Sequence, residues 1–149
     1  MATENSTRNA YAVFPQPFMK IEWLYVVRPD IKITPDDPKF KDLMFASNVG
    51  SARHIWLLEK RRTKEFSLDL AGTPDPKIAY RMLDLNRVDV VLGNRMNMNE
   101  AFKVLNFDRT RFKIFVAKEK PLAVYFGKRF LYGEPEFLGL FNSAMATCK

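Results

Sequence analysis

Leu83-Asp84-Leu85-Asn86-Arg87-Val88-Asp89-Val90-Val91-Leu92-Gly93-Asn94 contains a change of period that decides the fold. Ahead of it, Ile78, Met82, Leu83 and Leu85 recur at helical spacing behind Thr73-Pro74, a hydroxyl cap followed by a proline in the first turn. Val88-Asp89-Val90-Val91-Leu92 is apolar apart from Asp89, as in a parallel strand buried on both faces. Beyond it, Met98, Ala101, Phe102 and Leu105 mark one face of a helix over 97–105. Helix, buried strand, helix is the repeating unit of an α/β domain.

The same alternation extends both ways. Ile21–Val27 reads as a strand, Lys39–Leu43 as a short segment, and Leu43–Val49 as a second strand. Gly50-Ser51 opens a helix to about Lys60, with Ser51 as N-cap and Ile55, Leu58 and neighbouring Trp56 on its apolar face. Glu65–Leu70 alternates as a strand, 112–116 and 122–126 are two more, and a final helix over 135–146 turns Phe137, Leu138, Phe141 and Met145 inward. The pattern predicts a mainly parallel sheet flanked by helices.

Bulk composition limits the function classes. The 149 residues are 47% hydrophobic and 13% aromatic, enough for one folded core. The net charge of +7 is spread along the chain. Its densest run, Lys60-Arg61-Arg62 with Lys64, falls at a helix end, where cations complement the dipole, so no nucleic-acid partner is expected. No run approaches the ~18 apolar residues of a membrane span. The polar Met1–Thr7 has no signal-peptide core. One histidine, His54, and one cysteine, Cys148, provide no soft-metal cluster, disulfide or catalytic dyad. No phosphate-binding glycine fingerprint occurs. No metal, cofactor or catalysis is expected.

Two places carry a binding signal. At Val49-Gly50-Ser51-Ala52 a strand ends and a helix begins, so first-turn N–H groups face the strand's carboxyl edge and attract an anion; plain capping is the alternative. Gly93-Asn94-Arg95 lies beyond the carboxyl end of the buried strand, where ligands of open α/β sheets bind; a polar loop before a helix is the alternative. Asp89, inside the strand, suits a structural role. Tyr11, Phe14, Phe18 and Trp23 cluster early, as hinge aromatics that sandwich a ligand or as core packing.

In order and spacing, four stretches resemble the family-3 extracellular solute-binding proteins of ABC uptake systems, which include amino-acid-binding proteins. They are Ser6-Thr7-Arg8 with Tyr11-Ala12-Val13-Phe14-Pro15-Gln16-Pro17-Phe18; Val49-Gly50-Ser51; Leu83 to Asp89, similar to the family's L-x-x-G-R-V-D; and Pro121 to Lys128 with Phe141-Asn142-Ser143-Ala144. The resemblance implies a type II periplasmic-binding-protein-like lobe with a mainly parallel five-stranded sheet, plus a remnant of the other lobe. Residues 1–20 would be that remnant and crossover, 21–120 the ligand-binding lobe, and 121–149 a return strand and helix.

It further implies that about 80 residues ahead of Met1 are missing, on typical domain sizes. A small polar or anionic solute, an amino acid or organic acid, would bind in an inter-lobe cleft. Ligand contacts would come from Ser51, Ala52, Asn94, Arg95, Phe14 and Phe18. Asn94 stands where amino-acid binders carry an acid that pairs with the ligand's ammonium, which argues against ordinary α-amino acids. A permease partner and a periplasmic location are implied for the full-length parent. Uncovered lobe-one-facing surface predicts a tendency to dimerise. The alternatives are a ligand-sensing domain of a signalling protein and a small-molecule lyase on the same fold.

Overall fold

A computed structural model describes residues 2–4 and 6–148. Met1, Asn5 and Lys149, within the expected segments 1–20 and 121–149, lie outside the described residues. The chain divides into two units, one of residues 1–21 with 119–149 and one of 22–118.

The second unit contains a five-stranded arrangement in the order β7-β3-β6-β4-β5. Its strands are β3 (Met19–Val27), β4 (Met44–Asn48), β5 (Asp69–Thr73), β6 (Val90–Asn94) and β7 (Lys113–Ala123). β3 begins in the first unit and β7 ends there. The helices are α2 (Ala52–Arg62), α3 (Pro76–Asp84) and α4 (Arg95–Leu105). β4 pairs in parallel with β5 and β6, whereas β3 runs antiparallel to β6 with Trp23 opposite Asn94. The physical reason lies in the connection. A parallel step needs a crossover helix, which α2 and α3 supply. β3 reaches β4 through a loop holding only a 3-10 turn at Pro38–Asp42, so the end of β3 and the start of β4 share one edge.

The sheet is apolar on both faces. Trp23 to Val27 of β3 and all of β6 are buried. On one face Leu24, Val26, Ala46 and Val91 pack with Ala79, Tyr80 and Leu83 of α3 and Met98, Ala101 and Phe102 of α4. On the other, an aromatic chain runs through Tyr25, Phe40, Phe45, Phe66, Trp56 and Trp23, with edge-on or tilted contacts at 5.1–6.3 Å.

Helix ends follow their chemistry. Lys64, Asn86 and Asn106, which follow α2, α3 and α4, all have positive φ. Asn86, at φ 56°, occupies the glycine position of L-x-x-G-R-V-D, and asparagine is among the few residues that adopt this conformation readily.

Several sequence expectations are corrected. The strand expected at Glu65–Leu70 forms at Asp69–Thr73, because Lys64 and Phe66 finish the α2 exit and Glu65 bonds back to Lys60. The expected cap Thr73 is the last residue of β5; Asp75 caps α3 instead, its carboxylate accepting the Lys77 N–H at 2.7 Å ahead of Pro76. On α2 the buried residue is Leu57, while Ile55 and Leu58 are exposed. The strands expected at 112–116 and 122–126 are not two separate strands: β7 runs from Lys113 through Pro121 to Ala123, and Phe126 opens β8.

The first unit holds β1 (Ala2–Thr3) paired with β7, the four-residue α1 (Ser6–Asn9), and β2 (Ala12–Val13) paired with β8 (Phe126–Gly127). α5 (Lys128–Gly133) and α6 (Phe137–Thr147) complete it around Phe126, Phe130, Phe137 and Phe141.

Candidate functional site at the carboxyl edge of the parallel strands

β4, β5 and β6 run in the same direction, so their last residues, Asn48, Thr73 and Asn94, share one edge of the sheet. Each strand leads into a helix, which brings the N-termini of α2, α3 and α4 to that edge. The edge is held by its own polar groups. Asn48 Nδ2 donates to Pro74 O at 3.2 Å, Val49 N–H to Thr73 O at 2.9 Å, and the buried Thr73 hydroxyl to Ser47 O at 3.4 Å.

Ser51 caps α2 fully. Its hydroxyl donates to Asn48 O at 2.7 Å and accepts the His54 N–H at 3.2 Å. What this turn can offer a ligand is therefore the N–H groups of Ala52 and Arg53, which have no intrahelical acceptor. Asn94 is buried, and its Oδ1 accepts the Asn97 N–H at 2.7 Å as the cap of α4. Its amide nitrogen is the part left to meet a ligand. Arg95 turns to the Glu22 carboxylate at the start of β3, and that hydrogen bond holds Glu22 below the usual carboxylate range.

Four residues of the edge, Asn48, Arg53, Gly93 and Asn97, line one small cavity together with Tyr80. A larger groove of about 300 Å³ shares Pro76 and Asn97 with it and continues past Asp75, Lys77 and Glu100. Arg53, Tyr80, Asn48 and Asn97 were not singled out from the sequence. One signal was readable: an arginine in the first turn of a helix opposes the dipole, and such a misplaced cation asks for a reason.

Phe14 and Phe18 belong to the first unit. Phe14 packs on Tyr125 with ring centres 5.2 Å apart, and the Phe18 N–H donates to Leu122 O at 3.4 Å. Asp89 braces the strands: its side chain accepts the Met44 N–H at 2.9 Å and lies 3.3 Å from the Arg28 guanidinium. His54 is partly buried, with Nδ1 2.8 Å from Ser47 Oγ. Among the described residues no cluster of His, Cys, Asp and Glu is placed to hold a metal, and no helix is long and apolar enough to cross a membrane.

This architecture is that of a type II periplasmic-binding-protein fold, in which the chain supplies a mixed α/β lobe. Solved structures share it at low sequence identity. The arginine-bound form of truncated ArgBP from T. maritima superposes with a TM-score of 0.72 at 16% identity, over 99% of this chain and 65% of that one. The substrate-binding protein of an amino acid ABC transporter gives 0.67 at 16% identity, over 97% and 61%. A histidine kinase sensor domain with similarity to periplasmic binding proteins gives 0.74 at 17% identity, over 98% and 60%. The chain thus spans about three fifths of the length of these proteins. No family model matches the sequence, and no curated protein matches it in sequence.

Proposed function

We propose that this chain binds a small polar or anionic solute at the carboxyl edge of β4, β5 and β6, as the solute-binding component of an ABC-type uptake system. One observation carries the reading: Asn48, Arg53, Gly93 and Asn97, from two strand ends and two helix starts, line a single cavity at the edge where open α/β sheets take ligands. Ligand contacts are assigned to the helix start at Ser51 and Ala52, through the first-turn N–H groups of Ala52 and Arg53, to Asn94 through its amide nitrogen, and to Arg95 once released from Glu22. The roles of Phe14 and Phe18 rest on the family resemblance. Structural neighbours named as binding proteins support binding without turnover. A periplasmic location and a permease partner belong to the same proposal.

Calorimetry against amino acids and organic acids tests it. A solute is expected to bind, and Ser51→Ala and Asn94→Ala are expected to weaken it. Unchanged affinity in both variants would make the site assignment wrong, and absence of any ligand would overturn the function. The sensor-domain neighbour favours a second reading, ligand sensing in a signalling protein. An adjacent permease and ATPase gene pair supports uptake; fusion to a kinase or cyclase supports sensing.

A further inference from the structure

Arg53 is an anomaly on three counts. It stands two residues after the N-cap Ser51, where its charge faces the positive end of the α2 dipole. Its side chain is half-buried, and burial lowers the pKa of a guanidinium that nonetheless stays protonated. Its Nε is buried and has no hydrogen-bond partner. Each count costs stability, and the last leaves a charged donor without the acceptor that water would give it.

Tyr80 of α3 presents the same problem. It is only 1% exposed, and its hydroxyl is buried without a partner. Burial pushes the phenol pKa up, so the hydroxyl keeps its proton and remains a donor. The hydroxyl sits directly over Gly93, so closely that a Cβ there would collide with it. Both side chains line the cavity with Asn48 and Asn97. Its free volume is about 10 Å³, room for about one oxygen atom.

We propose that Arg53 and Tyr80 together hold one oxygen of a ligand carboxylate, while the rest of the ligand lies in the adjoining groove of about 300 Å³. An anionic oxygen in the small cavity meets the Arg53 Nε–H and the Tyr80 O–H. Both are donors, and neither has a hydrogen-bond partner. The groove carries Asp75 and Glu100, with only Lys77 to offset them, so a second anionic group on the ligand is disfavoured there. The ligand class is therefore a monocarboxylate whose far end is neutral or cationic. This inference rests on the solute-binding reading and narrows it.

The test uses matched pairs: propionate and propionamide, L-alanine and L-alaninamide, L-arginine and L-argininamide, titrated calorimetrically into the full chain. At least one acid is expected to bind about 30-fold or more tightly than its amide, the equivalent of about 2 kcal/mol. R53Q is expected to erase that difference. Y80F is expected to weaken the acid about fivefold and leave the amide unmoved. Because Y80F removes only an unpartnered buried oxygen, its ligand-free Tm should equal or exceed that of the unmodified chain, which controls for folding. Equal affinity for acid and amide, or unchanged acid affinity in R53Q and Y80F, overturns the inference while leaving solute binding intact. A site filled by one trapped water gives that same result. If none of the six compounds binds, the monocarboxylate assignment is overturned, and only the broader panel decides solute binding itself.

Discussion

His54 Nδ1 lies 2.8 Å from the hydroxyl of Ser47, a fully buried residue of β4, and so ties the first turns of α2 to the sheet. Burial, with the nearby charge of Arg61, holds the His54 pKa below its ordinary value of 6.5. The folded protein therefore resists a proton that the unfolded chain accepts. Stability is full above about pH 6.5 and declines as the pH falls through that value toward the lower folded pKa. Urea denaturation at pH 8, 6.5 and 5.5 should show this decline, and His54→Gln should flatten it. Parallel pH dependence in the two proteins would remove His54 as its source.

Gly93 is buried in β6 beneath Tyr80, whose Cζ lies 3.3 Å from the position a Cβ would take, with the hydroxyl closer still. Gly93→Ala should destabilise by about 1–3 kcal/mol through overpacking. The colliding atom is the hydroxyl oxygen, so Tyr80→Phe in the same chain should restore part of the loss. Additive losses in a double-mutant cycle would show that the strain arises elsewhere.

Helix α2 separates its faces sharply. Leu57 is fully buried, whereas Ile55 is 56% exposed. Leu57→Ala should cost about 2–5 kcal/mol, as for a core leucine. Ile55→Ala should stay within about 0.5 kcal/mol. Guanidinium denaturation of the two variants distinguishes this helix orientation from the one expected from apolar spacing, which put Ile55 inward.

Much of the fold was legible because local chemistry agreed with it. The apolar residues Val88, Val90, Val91 and Leu92 marked a strand buried on both faces, and it forms two residues further on, as β6 at Val90–Asn94. Ser51 and the Met98, Ala101 and Phe102 stripe behaved as cap and core. Asp89 has the structural role expected of it, but from the bend just ahead of β6, where it braces Met44 and Arg28. The errors fell where two local readings competed. Ile55 and Leu58 are as apolar as Leu57, and only the rotation of α2 over Phe45 and Phe66 decided which one was buried. Thr73-Pro74 and Asp75-Pro76 both spell a helix start, and the pairing of Thr73 with Asn48 in the sheet chose the second.

The sequence by itself determined the α/β alternation and the carboxyl-edge placement of Ser51 and Asn94. These follow from period, capping chemistry and residue identity, all local properties. Tertiary structure alone decided that β3 runs antiparallel, that Asn94 and Arg95 are already engaged with Asn97 and Glu22, and that Arg53 and Tyr80 are left facing one cavity without partners. Those outcomes depend on which groups meet across elements far apart in the chain. Hydrogen-bond satisfaction is a sum over such meetings, and no local pattern contains it.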